Sequence, residues 1–289
     1  MSDQQQTERK PLWLKTKIPI GKEYVKVKDI VEKHKLHTIC TSGKCPNIDE
    51  CWGAGTATFM ILGNICTRSC KFCAVNTGKP LSPDNKEPMN IAKSIQLMKL
   101  RHCVITSVDR DDLEDGGCQI WVETINAIRE INPVITMEVL IPDFQNKAGA
   151  VEKIITARPD VISHNLETVE NLTPLVRTRA KYRYSLEVIR KVSDSGITSK
   201  SGIMLGLGEA EKEILQTMDD LLSVGCKVMT LGQYLCPTRS NLPVSGYINP
   251  ETFEKYRQAG IKKGFQHVES SPLVRSSYHA EKHIYGVQF

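Results

Sequence analysis

The chain has 289 residues with 38 basic and 33 acidic side chains, a formal net charge of +5, and a hydrophobic fraction of 40%. This mild charge, spread without basic runs, gives no support for nucleic-acid binding, and no segment reaches the roughly 18 apolar residues of a membrane span. The polar first ten residues lack the apolar core of a secretion signal, so we expect a cytoplasmic protein. In that reducing compartment, ten cysteines favour metal or redox sites over disulfides.

The N-terminal 38 residues differ in character from the rest of the chain. They are polar and lysine-rich with isolated apolar anchors at Trp13, Leu14 and Ile18, which predicts an arm packed on the outside of a larger body. From Thr56 onward, apolar runs, short loops and stretches of helical spacing alternate. We predict strands at 56–63, 103–108, 136–141, 160–166, 200–207 and 227–231, and a seventh candidate at 265–269.

Helical patterns lie between these strands. The clearest covers 209–225, where Met218 and Leu221 share an apolar face and Gly225 provides a stop signal, and another covers 182–195. Strands that alternate with helices predict parallel pairing through right-handed crossovers. Six such units favour a partial (β/α)6 barrel of the TIM type, with a doubly wound sheet as the competing topology. Either fold binds its ligands at the carboxyl ends of the strands.

The loop after the first predicted strand contains three thiols within eight residues, the first cysteine group: Cys66, Cys70 and Cys73. Three thiolates on one cubane iron–sulfur cluster leave one iron without a protein ligand, and this open position suits an external ligand. Zinc is the alternative, but zinc sites usually collect four ligands and this loop provides three. We therefore predict a [4Fe–4S] cluster here.

A second cysteine group, Cys40, Cys45 and Cys51, lies upstream within twelve residues and also lacks a fourth thiol. By itself it is compatible with a zinc loop or with three unrelated thiols. Beside the first group it favours a second [4Fe–4S] cluster. The remaining four cysteines have no such spacing, and we expect them to be buried. They are Cys103, Cys118, Cys226 and Cys236.

The first cysteine group, with the aromatic Phe72 before its last member, resembles the CxxxCxΦC signature of the radical S-adenosylmethionine (radical SAM) superfamily. This resemblance implies that the amino and carboxylate groups of S-adenosylmethionine bind the open iron. It also implies that reductive cleavage of the cofactor yields a deoxyadenosyl radical, which abstracts hydrogen from an unactivated carbon.

Polar residues and glycines at the predicted strand ends are candidates for contacts with this cofactor. Each has a structural alternative, since acidic residues there often cap the next helix or solvate a loop, and a short glycine run often forms a tight turn. The candidates are Phe72, Ser107, Asp109, Asn165, Glu167, Arg179 and Gly206.

Further segments resemble the lipoyl synthase family: 45–48, 55–63 and the Val-Arg-Ser-Ser-Tyr-His-Ala run at 274–280. The similarity extends from about residue 37 to 281. It implies that the second cysteine group holds an auxiliary cluster whose fourth ligand is a serine, assigned to Ser277 with Ser276 as the alternative. A serine oxygen is a harder ligand for iron than a thiolate, which predicts that this corner is labile.

The same resemblance implies the reaction. Two sulfur atoms are inserted at C6 and C8 of an N6-octanoyl-lysine, and the auxiliary cluster donates the sulfur. The residues given a catalytic role are Cys66, Cys70, Cys73 and Ser277. The implied partners are an octanoylated carrier (the H protein of glycine cleavage or a lipoyl domain of a 2-oxoacid dehydrogenase), an electron donor such as ferredoxin or flavodoxin, and an iron–sulfur carrier protein.

We predict three segments: an N-terminal extension at 1–52 with the second cysteine group, a barrel at 53–264, and a C-terminal extension at 265–289 with the serine ligand. Two other interpretations stay open. One is a different radical sulfur-inserting enzyme, similar to biotin synthase. The other is a non-enzymatic zinc protein, which the iron and sulfide content would distinguish.

Overall fold

The computed structural model describes residues 9–15, 22–33, 38–42, 45, 47–53 and 56–284. Its N-terminal part contains the 3-10 turn η1 (Leu12–Leu14) and the helices α1 (Lys22–Lys33), α2 (Ile39–Ser42) and α3 (Ile48–Gly53). Of the predicted apolar anchors, Leu14 is buried, Trp13 is 42% exposed, and Ile18 lies outside the described residues. α1 packs against α3, where Tyr24 stacks on Trp52 with ring centres 5.3 Å apart.

The rest of the described chain alternates strands with helices. In chain order the elements are β1 (Thr56–Ile61), β2 (Ile65–Cys66), β3 (Asn76–Thr77), α4 (Glu87–Leu97), β4 (His102–Ser107), α5 (Cys118–Ile131), β5 (Thr136–Leu140), η2 (Phe144–Asn146), α6 (Ala150–Thr156), β6 (Val161–Ser163), η3 (Glu170–Leu172), α7 (Thr173–Val176), α8 (Tyr182–Asp194), β7 (Thr198–Leu205), α9 (Glu211–Ser223), β8 (Val228–Gln233), α10 (Pro250–Lys263), β9 (His267–Ser270) and η4 (Ala280–His283). All seven predicted strands and both predicted helices are confirmed, with ends shifted by a few residues. No helix in the described ranges is long and apolar enough to cross a membrane.

Seven strands form one sheet in the order β1-β4-β5-β6-β7-β8-β9, and every neighbouring pair is parallel. The order follows the chain and never reverses. A doubly wound sheet requires a reversal, so that topology is excluded and the partial (β/α)6 barrel is confirmed. β9 adds a seventh strand, and within the described residues the edge strands β1 and β9 do not pair, so the barrel is open.

The inner face of the barrel includes buried charge. Lys200 of β7 forms an ion pair with Glu138 of β5 at 2.8 Å, Ser163 of β6 donates to the same carboxylate at 2.6 Å, and all three side chains are fully buried. A buried charge is costly unless it is paired, so these groups are held in place as a set. Leu140 and Gly202, each two residues further along β5 and β7, share this strand face and line the cavity described next.

Candidate active site

A cavity of about 990 Å³ lies at the carboxyl ends of the strands, where the fold predicts the ligand site. Both cysteine groups contribute to its wall, as does the C-terminal segment after β9. The predicted site residues that line it are Cys40, Cys45, Cys66, Cys70, Phe72, Cys73, Ser107, Asp109, Asn165, Glu167, Ser276 and Ser277. Residues more than two hundred positions apart in the sequence thus meet in one space.

The loop that carries the first cysteine group is fixed at both ends. The short strands β2 and β3 pair with each other and close the loop, and Asn241 donates hydrogen bonds to the carbonyls of Lys71 and Cys73 at 3.1 and 3.0 Å. Backbone N–H groups point at two of the sulfurs. Asp109 donates to Cys66 Sγ at 3.3 Å, and Val75 donates to Cys73 Sγ at 3.4 Å. Such donors stabilise thiolates and tune clusters bound to them.

Burial makes these thiols poor acids until a cation binds them. Burial, followed by the Asp109 carboxylate, raises the pKa of Cys66 to about 12, and burial raises the pKa of Cys73 to about 11. Burial also raises the pKa of Cys70. A coordinating metal deprotonates a thiol outright, so three converging, buried thiols fit a metal centre better than free cysteines.

The spacing of the sulfur atoms distinguishes a cluster from a single ion. In the part of the chain that the structure describes, neither cysteine group has its three sulfurs within 4.8 Å of one another. Thiolates on one tetrahedral zinc lie about 3.8 Å apart, because each Zn–S bond is about 2.3 Å long. At least one pair of sulfurs in each group is therefore too far apart for one tetrahedral zinc, which fits ligands of separate irons in a cluster.

Arg68, inside the loop of the first cysteine group, organises the adjacent acidic residues. Its guanidinium is 3% exposed and contacts Asp111 at 2.7 Å, Asp143 at 2.6 Å and Asp109 at 3.3 Å. Burial raises the pKa of Asp109 to about 6 even though Arg68 opposes the shift. Asp109 and Asp111, which follow β4, therefore anchor the cysteine loop to β4 through one arginine, whereas Asp112 pairs with Arg110.

The second cysteine group lies on and between two short helices. Cys40 is on α2 and Cys51 on α3, and the Cys45 N–H donates to the Cys40 carbonyl at 3.0 Å. Burial raises the pKa of Cys40 to about 11, with Cys45 as the next contributor. Burial also raises the pKa of Cys51, followed by both other members of the group. Cys51 does not line the cavity, although the two members that do line it raise its pKa.

The C-terminal segment after β9 is fastened to the N-terminal extension. Asn47 donates to the Leu273 carbonyl at 2.7 Å, and Tyr278 donates to the Glu50 carboxylate at 3.1 Å. Ser276 and Ser277 lie between these contacts and both line the cavity. The segment thus has a defined position beside the second cysteine group, and the assignment of Ser277 rather than Ser276 as a ligand stays a prediction.

Gly232 on β8 allows the C-terminal segment to approach so closely. A Cβ at this position would overlap the Val274 carbonyl oxygen and lie 3.0 Å from its carbonyl carbon. We expect Gly232→Ala to displace the segment at a cost of about 1–3 kcal/mol. Sulfur incorporation should then fall more than deoxyadenosine formation. Gly246→Ala is the control, since a Cβ there meets nothing within 4 Å. Equal behaviour of the two variants would contradict this role.

Two polar atoms on the cavity wall lack partners. Within the described residues, Ser107 Oγ and Asn165 Oδ1 are buried without a hydrogen-bond partner. Glu167, two residues after Asn165, has a left-handed φ of +67°, and burial raises the pKa of its carboxyl. Buried polar groups without partners are costly, and such backbone strain clusters at functional sites. These groups fit a bound polar cofactor.

Two predicted contacts lie elsewhere. Arg179 is 57% exposed and pairs with Asp111 at 3.8 Å, outside the cavity wall, whereas Arg177 is buried and lines the cavity. Gly206 does not line the cavity either. A Cβ there would overlap Gln233 Nε2 and the Gly246 carbonyl oxygen, which identifies a tight turn. Both contacts stay predictions, and the geometry favours Arg177 over Arg179 as the arginine that contacts the cofactor.

The four cysteines outside the groups are buried with one exception. Cys103, Cys118 and Cys226 are buried as predicted. The prediction is wrong for Cys236, which is half-buried and lines the cavity, because the chain after β8 turns across the cavity mouth.

Family models and solved structures agree with this architecture. The model of the radical SAM superfamily matches residues 60–221, and that of the N-terminal domain of lipoyl synthase of the radical SAM family matches residues 1–45. SuiB of Streptococcus suis bound to S-adenosylmethionine has a TM-score of 0.60 at 10% identity, covering 92% of this chain and 57% of its own. HydG, a maturase of the [FeFe]-hydrogenase, has a TM-score of 0.52 at 13% identity, covering 91% and 76%. The barrel and the three-thiol loop are those of a radical SAM enzyme.

Relatives with high sequence identity show which family of radical SAM enzymes the chain resembles. The lipoyl synthase of Phocaeicola vulgatus is 60% identical, covering 96% of this chain and 97% of its own, and that of Treponema denticola is 60% identical, covering 96% of each. The mitochondrial lipoyl synthase of Nematostella vectensis is 58% identical over 96% of each chain. The chain belongs to the lipoyl synthase family. Its cofactors are accordingly S-adenosylmethionine and two [4Fe–4S] clusters.

Proposed function

We propose that this chain inserts two sulfur atoms, at C6 and C8, into an N6-octanoyl-lysine carried by a lipoyl-domain protein. One observation carries the proposal: a single cavity is lined by both cysteine groups and by the serines of the C-terminal segment. An acyl chain in this cavity can lie against the radical source and the sulfur source without leaving. Proximity of this kind replaces a bimolecular encounter with a positioned one.

The positions of the thiols support two ligand sets, and the family resemblance supplies the serine of the second. The first cluster is held by Cys66, Cys70 and Cys73. The auxiliary cluster is held by Cys40, Cys45, Cys51 and Ser277. When bound, the first cluster with S-adenosylmethionine supplies a radical that takes hydrogen from unactivated carbon, and the auxiliary cluster supplies sulfur.

The wall of the cavity binds the cofactor and excludes water. Ser107 would offer a hydroxyl and Asn165 an amide oxygen to the polar groups of S-adenosylmethionine, and the Glu167 carboxylate would balance its positive charge. Phe72, packed with Tyr234 in a small apolar cluster, shields this end from solvent. Keeping water out protects a radical from side reactions.

The proposed reaction implies the kinds of partner, and the location is a separate proposal. The carrier is an octanoylated H protein or a lipoyl domain of a 2-oxoacid dehydrogenase. Electrons come from a ferredoxin or flavodoxin, and an iron–sulfur carrier protein rebuilds the auxiliary cluster. The protein is placed in the cytoplasm. We assign the auxiliary thiols to residues 1–52, the radical-generating barrel to residues 53–264 and the serine-bearing segment to residues 265–289.

An anaerobic single-turnover assay tests the function. The cluster-loaded protein is incubated with S-adenosylmethionine, dithionite and an octanoyl-lysyl peptide, and the products are weighed by mass spectrometry. We expect a peptide that has gained two sulfur atoms, together with deoxyadenosine. Deoxyadenosine without a sulfur-bearing peptide would contradict the substrate assignment but would agree with membership of the radical SAM superfamily. Zinc in place of iron would contradict both.

The serine ligand has its own prediction. Ser277→Ala should leave deoxyadenosine formation intact and lower sulfur incorporation by at least about tenfold, because the auxiliary cluster loses one ligand. Ser276→Ala, one position away on the same cavity wall, is the matched control and should retain both activities. The reverse pattern would transfer the role to Ser276. Iron content and the sulfur-bearing peptide are the measurements.

A further inference from the structure

Imidazole and carboxylate groups converge away from the cavity, at the amino-terminal ends of the strands. His267 and Glu269 are two residues apart on β9 and so share one strand face, and His283 ends the turn η4. One ligand atom from each of these three residues lies within 4.8 Å of the other two. His267 Nε2 is 3.3 Å from Glu269 Oε2, and the rings of His267 and His283 are 4.7 Å apart. None of the three lines the cavity.

The interactions of His283 are incomplete. Its side chain is fully buried, yet neither ring nitrogen has a hydrogen-bond partner among the residues that the structure describes. A neutral imidazole is the form that binds metals, and an orphaned buried nitrogen costs free energy unless a ligand satisfies it.

The charges around the cluster permit a cation. Glu269 provides a carboxylate oxygen 3.3 Å from His267 Nε2 and 4.0 Å from His279 Nδ1. Lys200, the nearest buried cation, already has its charge balanced by Glu138 at 2.8 Å. Two imidazole nitrogens and one carboxylate oxygen form a donor set that suits zinc and other first-row divalent ions.

We propose that His267, Glu269 and His283 form a third metal site, which binds one Zn²⁺. Together they provide three of the four ligands of a tetrahedral Zn²⁺, so a water molecule completes the site, and its role is to hold the C-terminal segment in place. It joins both ends of the C-terminal segment, because His267 and Glu269 precede this segment on β9 and His283 follows it. A clamp at the two ends of a loop reduces the conformational freedom of the residues between them, which include Ser276 and Ser277. Residues at the amino-terminal face of a barrel commonly serve stability rather than chemistry.

Zinc binding to the cluster-loaded protein tests the proposal. The protein is dialysed anaerobically against chelator-buffered Zn²⁺, and zinc and iron per chain are measured by mass spectrometry. We expect one zinc with the iron content unchanged. His283→Gln and Glu269→Gln should each weaken zinc binding by at least about 100-fold. Glu281→Gln is the matched control, since this residue lies on the same turn but hydrogen-bonds to Thr56.

The ligand type provides a second, variant-free measurement. Zinc X-ray absorption of the wild-type protein should show nitrogen and oxygen neighbours at about 2.0–2.1 Å. A sulfur shell at about 2.3 Å would place zinc at the cysteines and overturn the proposal. It is equally overturned if the wild type binds no zinc, or if His283→Gln binds zinc as tightly as Glu281→Gln. None of these readouts depends on sulfur insertion, so the proposed function can fail or succeed independently.

Discussion

Cys70→Ala is expected to lower deoxyadenosine formation by at least about 100-fold, because removing a metal ligand costs more than the 10- to 100-fold typical of an outer-shell partner. Iron should fall from about eight to about four per chain, since each cubane cluster contains four irons. Cys45→Ala should also lose about four irons but should still produce deoxyadenosine. It should yield no sulfur-bearing peptide, because the sulfur source is gone while the radical source remains.

Cys118→Ala is the control for both variants. This thiol is buried on α5, outside both cysteine groups, and donates to the Ala150 carbonyl. Its loss should leave the iron content and both products unchanged. If Cys45→Ala also abolished deoxyadenosine, or if Cys70→Ala retained it, the division of labour between the two cysteine groups would be wrong.

The second large effect concerns Arg68. Arg68→Met keeps an unbranched side chain about as long as the apolar stem of arginine but leaves Asp109, Asp111 and Asp143 without their shared cation. Removing one partner of a buried ion pair typically costs about 3–5 kcal/mol, because the remaining charge stays buried and unpaired. We expect the free energy of unfolding to fall by this amount, and the loop of the first cysteine group to lose its cluster. Anaerobic urea unfolding and iron content measure both.

Arg183→Met is the matched control for Arg68. Arg183 makes an equally short ion pair with Glu170, at 2.6 Å, but its side chain is 66% exposed. Exposed pairs contribute about 0–1 kcal/mol because water screens them. A similar shift of the urea midpoint in both variants would show that the Arg68 network has no special role.

The sequence was a good guide to the fold where the strands are apolar and a poorer one where they carry polar inward groups. β7 begins at Thr198, two residues before its predicted start, and Lys200 inside it is fully buried. β4 likewise begins at His102, whose ring contacts Thr136 Oγ1 at 2.9 Å. A pattern of hydrophobicity cannot show that such polar residues are paired across strands, so strand ends are misplaced there.

The site was predictable where the chemistry is local in the sequence. The spacing of each cysteine group indicated a cluster, and the structure brings both groups to one cavity. The roles of Arg68 and Arg177 were missed, since each is defined by partners far along the chain. One signal for Arg68 was available: three aspartates near a predicted strand end require a cation. Nothing local separates Arg177 from Arg179, because which of the two faces inward depends on how α7 ends.

The contacts that fasten the two ends of the chain together also impose an order on its synthesis. The hydrogen bonds from Asn47 to Leu273 and from Thr56 to Glu281 can form only after nearly the whole polypeptide has left the ribosome. The thiols of the first cysteine group, by contrast, sit in a loop closed mainly by nearby strands. Contacts between distant residues form late in folding because their loop entropy must be overcome first. Nascent chains should therefore form the barrel before the C-terminal segment packs on the N-terminal extension, and a chain that ends before residue 273 would keep both cysteine groups but lack the proposed serine ligand.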